Sequence, residues 1–296
     1  MNEAAKALLN HLRLEPKGHH TYTSIHANDG GLQVFGGQLM AQAIHAAADT
    51  VPADRALASF QTTFSSPAEI KDKIDYRVVD VRSGKSFSQR QIVGQQGERP
   101  CVHVNALFQK VAQQEKLGAR YQVQPPDQPG PDQCLSQHEV VAIYHSYYPD
   151  HLGSIDGFEL PPQPLDIRFV NPQEFFDPTT KNIDQRIWVR MDAELGHNLE
   201  HHKQILIYAT DLMNAHLAAQ PQGWGGLNPR LRLTSLDHAL WFHGSFRMDD
   251  WLLMVRRCRV IHAERALISG EVFDAKGSLV ATLAQQALVR LAHRVR

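Results

Sequence analysis

The sequence predicts an α+β protein of two similar halves, each with one long helix packed against an antiparallel sheet. One observation is an amphipathic pattern over residues 36–49 that is followed by four strand-like segments. A second is that helix and strands return in the same manner after residue 164. A third is that the interval from Phe64 to Phe108 nearly equals the interval from Phe242 to Leu288, as expected of a duplicated unit.

The helix predicted over residues 36–49 carries apolar side chains at three- and four-residue steps. These side chains are Leu39, Met40, Ala43, Ile44 and Ala47. Such spacing forms one apolar stripe, which must pack against another surface. Alternating apolar residues between turn segments then predict strands at 57–64, 74–81, 86–93 and 101–108.

The composition changes between residues 111 and 163, where prolines cluster at 124–131 and again at 161–164. Prolines at this density disfavour regular structure and predict a linker, with one short helix near residues 137–147. The chain therefore divides into an N-terminal domain of residues 1–111, a linker of residues 112–163 and a C-terminal domain of residues 164–296.

The second half repeats the pattern of the first half. It is predicted to contain a helix over residues 200–219 and strands at 165–170, 183–191, 231–242, 251–260, 266–273 and 279–291. Each half alone is too small to cover its own sheet. We therefore expect the two sheets to join edge to edge, with both helices on the concave side and a groove between the halves.

Composition excludes several classes of partner and setting. The 30 Lys and Arg nearly balance the 31 Asp and Glu, which argues against a nucleic-acid partner. The longest apolar runs fall far short of a membrane span, and the N-terminus does not resemble a signal peptide. The three widely spaced cysteines do not form a disulfide framework. These features predict a cytoplasmic protein without a membrane span.

Three motifs in order carry a resemblance to a known family. They are Val34-Phe35-Gly36-Gly37-Gln38, Tyr208-Ala209-Thr210-Asp211-Leu212 and the segment from Ser235 through Trp241-Phe242-His243. With these motifs the chain resembles the type II acyl-CoA thioesterases from about Leu8 to Arg290. The resemblance implies a double hotdog fold, in which two tandem hotdog domains join their sheets edge to edge. It also implies hydrolysis of an acyl-CoA to a free acid and CoA, without a cofactor.

The catalytic set implied by the resemblance falls on Asp211, Ser235 and Gln285. These residue types suit the reaction, because an oriented carboxylate can deprotonate a water molecule while neighbouring groups hold that water in place. The carboxylate and the amide both lie among apolar residues, where each needs a partner. The family often has Thr in place of Ser235, so the hydroxyl is the shared feature. The fold further implies a homo-oligomer, either a dimer or a tetramer.

Gly36, Gly37 and Gln38 are predicted to bind substrate, because free N–H groups at a helix start can receive a thioester oxygen or a phosphate. A further hypothesis is that backbone N–H groups near the start of the second helix stabilise the oxyanion beside Asp211.

Two arginines of the family pattern are replaced, by Gly244 after His243 and by Ser66 before Pro67. The replacements bear on how the CoA nucleotide is bound. The remaining cations near these segments are expected to be solvated surface charges. They are Arg82, Lys85, Arg256, Arg257 and Arg259.

Two alternative functions remain open. Asp211 followed by His216 resembles the pair in hotdog enoyl-CoA hydratases, although the proline usual in that segment is absent. A non-catalytic acyl-CoA binding protein is the second alternative. A metal site is not predicted, because no Asp, Glu or Cys set completes the pair that His197 forms with His201 or His202. A serine hydrolase of the α/β type is excluded, because the chain has no Gly-x-Ser-x-Gly elbow to carry the nucleophile.

Overall fold

Thirteen strands in the described part of the chain pair into one continuous antiparallel sheet. The computed structural model describes residues 3–25, 33–111, 121–147, 164–172, 181, 183–223 and 231–291. The strand order is β1-β2-β4-β5-β6-β3-β10-β13-β12-β11-β9-β8-β7. All strands of the first half except β3 lie on one side of β3, and the second half begins at β10, so the predicted joining of two sheets edge to edge is confirmed.

The described residues of the first half form two α-helices and six strands. They are α1 (Glu3–His11), β1 (Leu14–Gly18), β2 (Thr21–Ser24), α2 (Gly36–Ala48), β3 (Arg55–Phe64), β4 (Asp75–Ser83), β5 (Phe87–Gln96) and β6 (Arg99–Lys110). The helix and four of these strands agree with the prediction to within a few residues. The strands β1 and β2, which cover one edge of the sheet, were not predicted.

The remaining elements follow the proline-rich segment. They are β7 (Leu135–Ser136), α3 (Gln137–Tyr147), β8 (Leu165–Phe169), β9 (Asp184–Met191), α4 (Leu199–Thr210), α5 (Asn214–Leu217), β10 (Leu231–Phe242), β11 (Leu252–His262), β12 (Arg265–Asp274) and β13 (Leu279–Leu291). No helix in the described part of the chain combines the length and the apolar composition that a bilayer span requires.

The second half departs from the prediction at its long helix. The sequence predicts one helix over residues 200–219, but α4 ends at Thr210 and the chain turns before α5 begins. The turn places Met213 in the left-handed region, with φ of 61°. A helix cannot continue through that conformation, so the prediction of one continuous helix was wrong, although residues 214–217 are helical again.

The segment predicted as a linker contacts the second half closely. Strand β7 pairs with β8, and Trp188 Nε1 donates to the carbonyl of Pro129 at 3.0 Å. The side chain of Gln122 bonds the backbone of both Gly277 and Leu279. The described part of this segment is therefore held on the second sheet. Residues 112–120 and 148–163 lie outside the described residues, and the proposed domain division remains a prediction.

The junction between the halves is the antiparallel pair of β3 and β10, with Ala239 opposite Gln61 at its centre. Each of these strands carries a β-bulge at the same distance from that centre, at Ala58 in β3 and at Leu236 in β10. A bulge inserts one extra residue and so changes which side chains share a face of the strand.

Helices α2 and α4 pack against each other and share one core with both halves of the sheet. Met40 and Ile44 of α2 are fully buried in this core, as are Ile205 and Ile207 of α4. Phe60 of β3 is fully buried at the junction and stacks on the His238 ring with 6.3 Å between centroids. The core therefore fixes the two halves to each other.

We expect Phe60→Ala to lower the free energy of unfolding by about 3–5 kcal/mol, because it removes a fully buried ring at the junction. Urea unfolding followed by fluorescence measures this change. Phe87→Ala is the matched control, since Phe87 is 41% exposed, and we expect a change of less than about 1 kcal/mol. Equal losses in the two variants would show that the junction is not a principal source of stability.

Candidate active site

Asp211 lies where the end of one helix meets the start of another. It is the C-cap residue of α4, and only 7% of it is exposed. The N-cap residue of α2, Phe35, has no side chain that can cap the helix, and the backbone N–H of Gly37 donates to the Asp211 carboxylate instead. A carboxylate of the second half thus caps the helix of the first half.

The two glycines of the first motif allow this close approach. A Cβ atom on Gly36 would lie 2.6 Å from Asp211 Oδ2, which is too short for any non-bonded contact. A Cβ atom on Gly37 would lie 2.6 Å from the carbonyl oxygen of Tyr208. Side chains at these positions would therefore separate α2 from α4 and displace the carboxylate.

The three residues predicted to bind substrate have different surroundings. The N–H of Gly37 is used by Asp211, and the N–H of Gln38 donates to the carbonyl of Phe35 at 3.1 Å. The side chain of Gln38 is buried. Gly36 alone of the three lines the cavity described below. Their roles in binding remain predictions.

The oxyanion hypothesis for the second helix is wrong. Helix α4 begins at Leu199, so its first N–H groups lie about 18 Å from Asp211 at the other end. The helix start that reaches Asp211 is that of α2.

The structure brings Asp211, Ser235 and Gln285 into direct contact. Gln285 Nε2 lies 2.9 Å from Asp211 Oδ1 and 2.7 Å from Ser235 Oγ, and it donates to both oxygens. Ser235 Oγ in turn lies 3.4 Å from Asp211 Oδ1, to which it donates. The carboxylate, hydroxyl and amide therefore form one closed group. Their roles in catalysis remain predictions.

The bulge in β10 makes this contact possible. Ser235 pairs with Ala287 and His238 pairs with Gln285, with Leu236 as the extra residue between them. Without the bulge, side chains three residues apart on a strand would point to opposite faces. Gln285 itself follows the regular alternation of β13, in which Leu283, Gln285 and Ala287 are all buried.

Burial raises the pKa of Asp211 from 3.8 to about 6. Hydrogen bonds from Gln285, Gly37 and Ser235 oppose the increase, as does the positive charge of Arg256. The carboxylate is therefore ionised at neutral pH, yet it remains a much stronger base than an exposed aspartate.

Three further polar side chains extend this group, because two of them bond the oxygen of Gln285 and the third donates to one of these two. None of the three was predicted from the sequence to belong to the site. They are Asn214, His238 and Arg256. Arg256 was expected at the surface, but it is fully buried and donates to the carbonyl of Leu212. Its place on β11, two residues after the buried Met254, was the available signal. Burial lowers the pKa of Arg256 to about 9, so it remains charged at neutral pH.

A cavity of about 470 Å³ opens beside Asp211. Its wall comes from both halves of the chain. The polar lining includes Ser65, Ser66, Thr234 and Ser235, and the apolar lining includes Leu39, Phe64, Ala68 and Met213. Gln285 does not line the cavity and is fully buried behind Asp211 and Ser235. The volume lies in the range of small-molecule sites.

His216, the residue that motivates the hydratase alternative, also lines this cavity. Burial and the charge of Arg256 lower its pKa, so it is neutral at pH 7. It lies on α5, beyond the turn that follows Asp211.

Family models match both halves of the chain. Residues 23–109 match the model of an acyl-CoA thioesterase N-terminal domain, and residues 125–289 match the model of an acyl-CoA thioesterase C-terminal domain. Together these matches cover most of the chain. The second match begins within the segment predicted as a linker.

Relatives similar over the full length carry related names. Acyl-CoA thioesterase 2 of Haemophilus influenzae is 27% identical over 290 residues, covering 98% of this chain and 99% of the relative. Human acyl-coenzyme A thioesterase 8 is 28% identical over 291 residues, covering 96% of this chain and 89% of the relative. The crystal structure of the acyl-CoA thioesterase II TesB2 from Mycobacterium marinum has a TM-score of 0.73 and 25% identity, covering 96% of this chain and 98% of that protein.

The raised pKa of Asp211 makes a prediction about stability. In the unfolded chain an aspartate titrates near 4, so below about pH 4 the group is protonated in both states and costs nothing. Between about pH 4 and pH 6 the unfolded chain ionises while the folded state keeps its proton, so the folded state loses stability over this range, and the loss levels off at about 3 kcal/mol above pH 6. Asp211→Asn removes this cost.

We therefore compare the free energy of unfolding of Asp211→Asn with that of the wild type at pH 4 and at pH 7.5, using urea unfolding. The difference should shift in favour of the variant by about 3 kcal/mol from the lower to the higher pH. Asp49→Asn is the control, because Asp49 is the exposed C-cap of α2. For that variant the difference should stay within about 0.5 kcal/mol. A flat difference for Asp211→Asn would mean that the buried carboxylate is not destabilised.

Proposed function

The chain belongs to the type II acyl-CoA thioesterase family and is a thioester hydrolase, and we propose that Asp211, Ser235 and Gln285 direct one water molecule at the thioester carbonyl. The contact of all three side chains beside a cavity is the observation that carries the proposal. Asp211 removes a proton from the water as its oxygen attacks the carbonyl carbon. The tetrahedral intermediate then collapses, the carbon–sulfur bond breaks, and CoA leaves as the thiolate.

Asp211 suits the part of general base. A base works best when its pKa lies close to the working pH, and burial brings the pKa of Asp211 to about 6. The carboxylate faces the cavity together with the hydroxyl of Ser235, so both can contact the same water. No covalent intermediate is needed, because water is the nucleophile.

Gln285 acts on the water through its two partners. Both hydrogens of its amide nitrogen are directed at Asp211 and Ser235, and the side chain is fully buried. From the sequence alone, the amide itself is expected to hold the water. In the arrangement described here Gln285 instead fixes the distance between the base and the hydroxyl.

The start of α2 is the proposed binding site for the developing negative charge. Gly36 lines the cavity at the first position of the helix, where the partial positive charge of the helix dipole is concentrated. A thioester oxygen near its backbone N–H would lie within reach of Asp211. The apolar part of the cavity, with Leu39, Phe64 and Met213, would receive the acyl chain.

Acyl-CoA is the proposed substrate, and the reaction needs no cofactor. The cytoplasmic location and the homo-oligomer implied by the resemblance remain predictions.

We expect Asp211→Asn to lower kcat by about 10² or more, the range for removal of a general base. Thiol release from acyl-CoAs of C4 to C18 chain length measures this loss and the chain-length range together. Asp49→Asn serves again as the control and should keep wild-type turnover, because Asp49 is exposed and lies outside the cavity lining.

The same assay separates the alternatives. If an enoyl-CoA is the substrate, loss of its enoyl absorbance without thiol release would indicate a hydratase that uses Asp211 and His216, and not a thioesterase. Binding of palmitoyl-CoA with neither change would indicate an acyl-CoA binding protein. Full activity in Asp211→Asn would exclude the proposed base.

The pH dependence of kcat/KM tests the base independently. Since the deprotonated carboxylate is the active form, kcat/KM should rise ten-fold per pH unit below about pH 6 and level off above it. The residual activity of Asp211→Asn should lack this break, whereas Asp49→Asn should retain it. A break near pH 4 in the wild type would show that the base titrates as an exposed carboxylate does.

A further inference from the structure

A line of buried polar side chains extends behind the proposed base. Asn214 Nδ2 lies 2.5 Å from Gln285 Oε1 and 2.6 Å from the carbonyl of Thr210. Arg256 Nη1 lies 3.0 Å from Asn214 Oδ1. The amides of Gln285 and Asn214 thus stand between the Asp211 carboxylate and the Arg256 guanidinium. Gln285, Asn214 and Arg256 are all fully buried.

The chemistry of the two ends sets the direction of both amides. A guanidinium only donates hydrogen bonds, so Asn214 must present its oxygen to Arg256. Its NH₂ group then points at Gln285, which must present its own oxygen in return. The NH₂ group of Gln285 is left to face Asp211, and an ionised carboxylate only accepts. Each group therefore fixes the orientation of the next.

His238 holds the same amide from a second side. Its Nδ1 lies 2.9 Å from Gln285 Oε1, and its Nε2 lies 3.2 Å from Thr210 Oγ1. Burial lowers the pKa of His238 to about 4, so the ring is neutral at pH 7. Because the oxygen of Gln285 accepts, Nδ1 carries the hydrogen. The one hydroxyl hydrogen of Thr210 is shared between two acceptors, the carbonyl of Ile207 at 2.8 Å and His238 Nε2.

We propose that Asn214, oriented by Arg256 and assisted by His238, is a positioning residue that keeps the NH₂ group of Gln285 turned toward Asp211. The two ends of a carboxamide have nearly the same shape, so packing alone cannot choose between them. If Gln285 turned over, its oxygen would face the carboxylate of Asp211 and Ser235 would lose its donor. The Asp211 carboxylate would then face a carbonyl oxygen that repels it, in place of a donor that stabilises it.

The turnover part of this inference rests on the proposed function, whereas the effect on the Asp211 carboxyl does not. Several charged or titratable groups surround that carboxyl from the elements packed against it. They are Tyr208 on α4, His216 on α5, His238 on β10 and Arg256 on β11. A test must therefore separate the orientation of the amide from a simple change in local charge.

Asn214→Asp makes the separation possible. The new carboxylate still accepts from Arg256, so the buried arginine keeps a partner, but it offers no hydrogen to Gln285. Gln285→Ala would test only the presence of the amide, not its orientation. The matched control is Gln185→Glu, because Gln185 accepts from the other nitrogen of Arg256. It adds the same charge to Arg256 without touching Gln285.

Two measurements are made on both variants. One is kcat, KM and the pH profile of kcat/KM from thiol release. The other is the pH dependence of the free energy of unfolding, compared between each variant and the same variant that also carries Asp211→Asn. This comparison gives the pH at which the Asp211 carboxyl titrates, even in a protein without turnover. The second measurement keeps a failure of this inference distinct from a failure of the proposed function.

We expect Asn214→Asp to lower kcat by about 10- to 100-fold with little change in KM, the range for residues that orient a reactive group. The pH at which Asp211 titrates should rise by about one unit or more, and clearly further than in Gln185→Glu. Equal shifts in the two variants would overturn the inference, since charge alone would then account for them. Unchanged kcat and titration in Asn214→Asp would overturn it as well.

Asn214→Ala decides the question if Asn214→Asp does not fold. This variant adds no charge and removes the donor to Gln285, so kcat should again fall and the titration of Asp211 should again move upward, by less than in Asn214→Asp. Wild-type kcat with an unmoved pH profile in a folded Asn214→Ala protein would exclude the positioning role. Stability lost without either change would mark Asn214 as a purely structural residue.

Discussion

The burial of one carboxylate between two helix ends governs the site and much of the fold around it. Asp211 stands at the C-terminal end of α4, where the helix dipole disfavours a negative charge, and at the N-terminal end of α2, where it is favoured. An unpartnered carboxylate in this place would be neutral or would cost several kcal/mol. The Gly37 N–H, the Gln285 amide and the charge of Arg256 oppose that cost. Position 36 requires glycine, because the carboxylate occupies the space that a Cβ atom would need.

The surroundings of this carboxylate come from both halves of the sheet. Asp211, Ser235 and Gln285 belong to the second half, whereas Gly36, Gly37 and Phe64 belong to the first. The pairing of β3 with β10 and the packing of α2 on α4 bring these groups together. Either half alone would lack part of the cavity and leave the start of α2 without its cap. The site is thus a property of the junction.

The sequence predicted ten of the thirteen strands of the described residues, all except β1, β2 and β7, because the apolar alternation and turn residues of those ten are local signals. It failed where tertiary contacts override local pattern. The segment after Thr210 has a helical composition, but the left-handed turn at Met213 ends the helix. The bulge at Leu236, which aligns Ser235 with Gln285, has no local signature. Asp211, Ser235 and Gln285 were chosen through motif resemblance. The burial of Arg256 could not be predicted in this way, because its partners Asn214 and Gln185 lie far from it in the chain.

The junction has a consequence for how the duplicated unit has diverged. The two halves are related by an approximate twofold axis through the pair of Ala239 and Gln61. Under this relation His238 is equivalent to Phe60, and its partner Gln285 is equivalent to Ala106, the partner of Phe60. The matching bulges make Ser235 equivalent to Leu57. The copy in the first half retains the backbone irregularity, but its side chains there are apolar and buried. Burial of each large apolar side chain contributes about 1.5–3 kcal/mol, whereas the polar copy carries an electrostatic penalty. The two halves have thus become complementary: one concentrates polar groups at these positions, and its sibling fills the equivalent positions with apolar side chains that stiffen the shared sheet.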